Sequence, residues 1–177
     1  MKKFELTAES KIFAGKKLFR IKALISFGNV REGELGGFVE KEENLSNDGN
    51  AWVSGDAWVS GNAWVYGNAR VSGNAWVSGD AEVYGDARVS GDAMVHGDAR
   101  VSGDADYATV QGFGSEYRTT TFFRTKAGDI GVRCGCFYGT LDDFRKKVKE
   151  THGDSKTAKE YLMVADLMEF RFSEEEV

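Results

Sequence analysis

Three residues separated by eighteen positions, Trp52, Arg70 and Arg88, are of types that bind a phosphate-bearing ligand. If the fold brings the two arginines together, their guanidinium groups repel unless an anion or a carboxylate lies between them. A nearby tryptophan offers a face on which a base can stack. We therefore predict that these three residues bind an anionic ligand, specifically a nucleotide. The alternative is that Asp106 and a neighbouring subunit's carboxylate already neutralise both arginines.

Two cysteines and a histidine near the C-terminus, Cys134, Cys136 and His152, raise the question of a metal site. Zinc prefers thiolate and imidazole ligands, but these three residues have no obvious fourth partner. Two small buried thiols explain the pair more simply. We predict no metal, no cofactor and no disulfide framework.

A six-residue repeat over residues 51–104 explains the eighteen-position spacing. Nine hexads follow without insertion, each reading Ala, a variable residue, Val, a small or aromatic polar residue, Gly, and Asp or Asn. In a strand, residues two apart share a face, so Ala and Val point inward and the variable residue outward. Gly and Asp or Asn then form a corner. Three such units close a triangular coil, and each residue stacks on the one eighteen positions later.

The outward residues of the hexads sort onto three sides of this predicted prism. Two tryptophans and a methionine form one apolar ladder, which should not remain in water. We predict that this ladder is a subunit interface, with a platform for stacking a carbohydrate as the alternative. On another side a glutamate between a tryptophan and an arginine balances the charge. The sides are named here by their outward residues: side one carries Trp52, Arg70 and Arg88, side two carries Trp58, Trp76 and Met94, and side three carries Trp64, Glu82 and Arg100.

Aspartates follow one another at two corners of the prism. Asp80 precedes Asp98, and Asp86 precedes Asp104, by eighteen positions. Stacked carboxylates attract cations, so a bound cation is one interpretation of these pairs. Solvated turn carboxylates are the simpler interpretation, and we predict no metal here.

The spacing from each Val to the next Ala, as in Val53 to Ala57, resembles the pattern of the hexapeptide-repeat family. The resemblance implies a left-handed parallel β-helix and a homotrimer with ligands in its clefts. Acyltransferases of this family use a His base and a loop thrown out from the coils, and carbonic anhydrases on this fold need three His ligands. This array has one His, His96, and no such loop. We predict a non-catalytic protein, with an acyltransferase-like enzyme as the alternative.

The flanking segments predict a cap at each end of the prism. Residues 1–44 predict a β-hairpin with its turn at 14–16, followed by an irregular first coil. Residues 45–110 are the predicted β-helix. In it, Leu45 takes the Ala position of a degenerate hexad, and Ala105 with Tyr107 begins a last one.

Residues 111–177 predict a ββαα module. Its strands lie near 118–125 and 131–138, and a capping box at Thr140 opens the first helix, which Gly153 ends. The second helix is predicted at about 156–169, with a buried stripe of Tyr161, Leu162, Ala165 and Met168. The predicted fold class is therefore mainly β: a left-handed parallel β-helix solenoid with an N-terminal β cap and a small C-terminal ββαα module.

Composition limits the partners and the location. The net charge of −5 argues against general nucleic-acid binding through a basic surface. No apolar run is long enough to span a bilayer, and no apolar signal-peptide core follows Met1. We predict a cytoplasmic protein that does not bind membranes.

Two segments, GELGGFVEKEENLS at 33–46 and CGCFYGTLDDF at 134–144, resemble parts of uncharacterised proteins of bacteria and their phages. The resemblance implies a phage or prophage origin and carries no activity. For a phage-encoded binding protein we predict a role in the host cytoplasm against a host defence, by sequestering a nucleotide signal. The alternatives are an inhibitor that binds a host defence protein and a structural or assembly part of a virion. Three coils give a prism about 15–20 Å tall, which is short for a virion spike.

Overall fold

A β-solenoid forms the centre of the computed structural model, which describes residues 1–173. The hexad array folds into nine two-residue strands, each an outward residue followed by an inward Val. The strands are β4 (Trp52–Val53), β5 (Trp58–Val59), β6 (Trp64–Val65), β7 (Arg70–Val71), β8 (Trp76–Val77), β9 (Glu82–Val83), β10 (Arg88–Val89), β11 (Met94–Val95) and β12 (Arg100–Val101). The predicted mainly β solenoid is thus confirmed, while its left-handed sense stays a prediction.

The register of these strands is the predicted one. Arg70 lies between Trp52 and Arg88, and Trp76 lies between Trp58 and Met94, all in parallel pairs eighteen residues apart. Every Ala and Val of the array from residue 51 to residue 101 is buried, because both point into the prism. Small Ala and branched Val fill a triangular interior too narrow for larger side chains.

The corners depend on glycine at positive φ. Gly79, for example, has a φ of 74°, a region that residues with a Cβ rarely adopt. A Cβ at Gly79 would lie 2.8 Å from the backbone nitrogen of Gly97 in the next coil. The glycine therefore serves both the turn and the close stacking of coils.

Three strands precede the array and cap its N-terminal end: β1 (Phe4–Phe13), β2 (Lys16–Ala23) and β3 (Leu35–Val39). β1 and β2 form the predicted hairpin, and β3 pairs in parallel with β5. The sheet of side two therefore runs β1-β2-β3-β5-β8-β11, so the hairpin extends it beyond the first coil. Phe4 and Ile21 close the end of the prism and are fully buried.

The expectation for Leu45 is wrong by two positions. Leu45 pairs with Val65 and so takes a Val position rather than an Ala position. The following corner contains two additional residues, Asn47 and Asp48, before Gly49 restores the period. Asn47 uses the added length to accept a hydrogen bond of 2.8 Å from the Lys3 backbone, which ties the N-terminal cap to this corner.

The array ends one hexad earlier than predicted. Ala105 lies in a short 3-10 turn, and Tyr107 begins a strand that leaves the prism. This strand joins an antiparallel sheet of four strands rather than the predicted two: β13 (Tyr107–Val110), β14 (Thr120–Arg124), β15 (Ile130–Cys134) and β16 (Phe137–Thr140). The turn is closed by Asp106, at the outward position of this hexad, whose carboxylate accepts a hydrogen bond from the Gly103 amide.

Two helices complete the C-terminal module: α1 (Leu141–His152) and α2 (Lys156–Phe172). The predicted capping box is present, since Thr140 Oγ1 accepts from the Asp143 amide and the Asp143 carboxylate accepts from the Thr140 amide. Of the predicted α2 stripe, Leu162 is only partly buried, while Tyr161, Ala165 and Met168 are buried. Within residues 1–173, no helix is both long and apolar enough to cross a membrane.

Candidate functional site

Arg70 and Arg88 lie next to each other on side one, in register on neighbouring strands. Arg70 is half-buried and Arg88 is exposed. Among residues 1–173, no carboxylate lies within 4.0 Å of either guanidinium group. The two strands lie about one strand spacing apart, and like charges without a carboxylate at salt-bridge distance attract an anion.

Asp106 does not neutralise these arginines, so that part of the alternative account is wrong. Its Oδ2 accepts hydrogen bonds from Ser102 Oγ at 2.6 Å and from the Ser102 amide at 2.8 Å. Its Oδ1 lies 3.4 Å from Nε of Arg124. Since the array ends before it, Asp106 leaves side one and serves the junction with the C-terminal module.

Trp52 lies beneath the segment that links β2 to β3, and only 2% of its surface is exposed. The ring of Phe27 packs edge-on against it with centroids 5.4 Å apart. Gly28 lies against the Arg70 guanidinium, since a Cβ at this glycine would be 3.3 Å from Nη2 of Arg70. The expected stacking of a base on Trp52 is therefore wrong for this conformation, because the ring has no free face. The sequence alone could not indicate this cover, since residues 24–34 have no period to follow.

Side two is largely covered by other parts of the same chain. Trp58 and Trp76 stack with centroids 4.4 Å apart, and Phe13 at the hairpin tip packs edge-on against Trp58 at 4.0 Å. At the other end, the Arg133 guanidinium lies 5.8 Å from the Trp76 ring. The Met94 amide donates to Thr121 Oγ1 at 2.9 Å. Trp58 is therefore buried within the chain, while Trp76 and Met94 are half-buried and line a cavity of about 500 Å³. Their role as a subunit interface stays a prediction.

Two polar side chains near side two form a hydrogen-bonded pair that the sequence analysis did not predict. Ser78 Oγ and His96 Nδ1 are joined by a hydrogen bond of 2.7 Å beside a cavity of about 340 Å³. Trp76 forms one wall of this cavity, and the Tyr138 ring packs edge-on against His96 at 5.0 Å. The signal was present, because Ser78 and His96 are eighteen positions apart and so had to meet.

The environment of His96 favours its neutral form. Burial lowers the pKa of His96, and the nearby Arg133 guanidinium lowers that pKa further. A neutral imidazole bonded to a serine hydroxyl is the pair that an acyl-transferring enzyme uses as base and nucleophile. Ser78 is almost fully buried, however, which restricts the approach of a substrate to its hydroxyl.

Side three carries a column of aromatic rings that ends on an arginine. Trp64 stacks on Tyr66 with centroids 4.0 Å apart, and Tyr66 stacks on Tyr84 at 5.0 Å. The Arg100 guanidinium lies 5.5 Å from the Tyr84 ring. Glu82 lies 3.8 Å from Arg100 and 2.9 Å from Lys126, so the arginine of this side has the counter-charge that side one lacks.

Cys134 and Cys136 flank a tight turn at Gly135 rather than lying on one strand. Both are free thiols, and the expectation that they are buried is wrong, because Cys134 is half-buried and Cys136 in the turn is exposed. Thr120 Oγ1 lies 3.2 Å from the Cys134 sulfur. Within residues 1–173, no three His, Cys, Asp or Glu side chains are grouped as metal ligands would be. Both thiols line a cavity of about 270 Å³ in the C-terminal module, together with His152.

Comparison with known families supports the solenoid. A family model described as the YdcK Beta solenoid repeat matches residues 63–79 and 81–97, both inside the hexad array. The comparison with curated proteins found no match. The chain is therefore similar to a β-solenoid repeat protein, while its resemblance to hexapeptide-repeat and phage proteins stays a prediction.

Proposed function

We propose that this chain is a non-catalytic binding protein that holds an anionic ligand on side one through Arg70 and Arg88. The observation that supports this function is the pair of arginines in register, with no carboxylate within 4.0 Å of either guanidinium group among residues 1–173; Asp104 accepts only from the Arg88 backbone amide. Two guanidinium groups present a fork of N–H donors that matches the oxygens of a phosphate. Since Trp52 is covered, the phosphate rather than a base provides the recognition, and a nucleotide would bind through its phosphates.

Calorimetry and thermal-shift measurements with inorganic phosphate, sulfate and a panel of mono-, di- and cyclic nucleotides test this function. A ligand that binds only the folded state raises the melting temperature. Arg88→Ala should weaken binding by roughly 1.5–3 kcal/mol, the scale of a charged hydrogen bond. Arg100→Ala is the matched control, because Arg100 already has Glu82 as its partner. No heat and no thermal shift with any ligand, or equal losses in the two variants, would reject the proposal.

A homotrimer remains a prediction, and it offers a competing account of the arginine pair. In that account a neighbouring subunit places a carboxylate against Arg70 and Arg88. Arg88→Ala would then lower the mass of the particle in analytical ultracentrifugation and leave ligand binding undetected. In the binding account the mass is unchanged and only the affinity falls.

The Ser78–His96 pair supports a second candidate, an acyltransferase-like or ester-cleaving enzyme. The supporting observation is the 2.7 Å hydrogen bond beside a cavity. Turnover of small acyl esters that is lost in both Ser78→Ala and His96→Ala would establish it. Equal background rates in the wild-type chain and both variants would remove it.

The resemblance to phage proteins, taken together with the binding proposal, suggests a biological setting. A phage-encoded protein that sequesters a nucleotide signal would act in the host cytoplasm. Inhibition of a host defence protein by direct contact and a role in the virion remain the alternatives. Expression in host cells challenged with phage, with and without Arg88→Ala, tests sequestration, which requires that protection of the phage and nucleotide binding by the purified protein are lost together.

A further inference from the structure

Helix α2 has two apolar faces, of which only one is covered. Its buried face packs on α1 and the sheet and consists of Ala158, Tyr161, Val164, Ala165, Met168 and Phe172. On the opposite face, Met163, Leu167 and Phe170 are 71%, 56% and 79% exposed. A helix on the surface of a protein normally carries polar residues on its outer face, so this second stripe indicates an interaction surface.

The spacing of the exposed stripe matches one heptad of a coiled-coil seam. Leu167 follows Met163 by four positions, and Phe170 follows Leu167 by three. In a heptad labelled a to g, this order places Met163 and Phe170 at d and Leu167 at a, the positions that interdigitate with a facing helix. The three side chains lie on two consecutive turns of the helix, so one facing helix covers all of them.

We propose that a second copy of this chain covers the stripe, with the two α2 helices parallel. The charges beside the seam support this partner and this direction. Asp166 occupies position g and Arg171 occupies the following e, the two positions that face each other across a parallel pair. In an antiparallel pair, each Asp166 would instead face its own copy, and like charges would meet. The seam is thus complementary to itself in the parallel arrangement.

Neighbouring contacts hold the acidic edge of the seam in place. Arg145 on α1 donates to Asp166 at 2.8 Å and to Glu169 at 2.8 Å. Asp166 nevertheless remains exposed, so its carboxylate can accept from the guanidinium of a second copy. This association surface lies on the C-terminal module and is separate from side one and from the ladder of side two.

Sedimentation velocity of the full chain at 1–200 μM (on the order of the range where weak pairs dissociate) tests the proposal. The wild type should form a species of twice the monomer mass or a higher multiple, and Leu167→Glu should weaken association at least tenfold. Ile12→Glu is the matched control, because Ile12 is an exposed apolar residue of the hairpin and lies outside the seam. A wild-type chain that stays monomeric at the highest concentration overturns the proposal.

A cross-linking experiment tests the direction of the helices without disturbing the fold. Phe170→Cys, placed in a Cys134→Ser and Cys136→Ser background, sets a thiol at position d next to the same thiol of the second copy, whereas an antiparallel pair would place it against Met163. Mild oxidation should give a covalent dimer in the parallel arrangement. Arg171→Glu should reduce the yield, and adding Asp166→Arg should restore it. No dimer, or no response to the charge changes, rejects the parallel seam. Phosphate binding by Arg88 has no part in either measurement, so the two proposals fail separately.

Discussion

At the scale of single residues, Asn and Asp have different roles in the columns of residues that stack eighteen positions apart at the corners of the prism. Each Asn amide donates to the residue of the next coil, as from Asn62 to Asp80 and from Asn68 to Asp86, at 3.0 and 3.1 Å. Where an Asp follows another Asp, a different donor serves the second one, and the Arg88 backbone amide donates to Asp104 at 3.0 Å. The Tyr138 hydroxyl donates to Asp98 at 3.0 Å. These bonds satisfy the carboxylates that the sequence alone left open to a cation.

The change Asn68→Asp tests this division of tasks. It replaces a donor above Asp86 with a carboxylate, so it should destabilise the fold by roughly 0.5–1 kcal/mol. The loss should shrink as salt rises, because salt screens exposed charges. Denaturant unfolding at low and high salt measures the effect. Adding Asp86→Asn should restore the stability, and a loss that is independent of salt and unrelieved by this second change would contradict the ladder account.

Lys3 makes the stability of the N-terminal cap depend on pH. Its ammonium group is buried beneath the cap and donates to the Ala51 carbonyl at 2.9 Å. Burial lowers the pKa of Lys3 from 10.5 to about 8. Between these two pH values the unfolded chain keeps a proton that the folded chain has lost. The contribution of Lys3 to the free energy of unfolding therefore rises with pH through this window.

Lys3→Met should remove that rise. The difference in unfolding free energy between wild type and Lys3→Met should change by about 3 kcal/mol between pH 8 and pH 10.5, since one pKa unit corresponds to about 1.4 kcal/mol. Urea denaturation at several pH values gives this difference. Lys2→Met is the control, because Lys2 is exposed and pairs with Glu42. If the unfolding free energies of wild type and Lys3→Met depend on pH in the same way, the lowered pKa of Lys3 in the folded chain is contradicted.

At the scale of elements, the repeat could be predicted because each hexad repeats the same local solution. Val77, buried between Val59 and Val95, follows from the period alone. The covers of sides one and two could not be predicted, because the hairpin tip at Phe13 and the segment at Phe27 follow no period. The arginine pair was predictable, while the loss of Trp52 from the site depended on those non-periodic segments.

His96 lies where the prism contacts the C-terminal module, and protonation of its ring should weaken this contact in acid. Burial and Arg133 lower the pKa of His96 below 6.5. As pH falls below 6.5, the unfolded chain binds a proton that the folded chain resists, so the contribution of His96 to stability is lost. The contribution is fully present above pH 6.5.

His96→Ser, which restores the usual residue of the hexad, tests this acid sensitivity. The free energy of unfolding of the wild type should fall more steeply from pH 7 to pH 5 than that of the variant. Chemical denaturation at matched ionic strength measures both slopes. Ser90→Ala, on another side of the prism, should keep the wild-type slope. Equal slopes for wild type and His96→Ser would mean that the ring titrates as freely in the folded chain as in the unfolded one.

At the scale of the whole molecule, one strand joins two hydrophobic cores. β14 places Phe123 in the core of the prism and Phe122 in the core of the C-terminal module, because neighbouring residues of a strand face opposite sides. Both rings are fully buried. Beside this strand, the Lys126 amide donates to the Asp98 carbonyl at 2.9 Å, and Ala99 pairs with Thr125. The module therefore closes the C-terminal end of the prism, as the hairpin closes the other end.

The adjacent changes Phe122→Ala and Phe123→Ala separate these two functions of β14. Each should lower the free energy of unfolding by about 3–5 kcal/mol, the usual loss for a buried phenylalanine. Their local effects should differ, since Phe123 seals the last coil while Phe122 supports the helices. Hydrogen exchange should therefore accelerate mainly in β11 and β12 for Phe123→Ala, and mainly in α1 and α2 for Phe122→Ala. The same exchange pattern in both variants would mean that prism and module open as one cooperative unit, and that β14 belongs to a single continuous core.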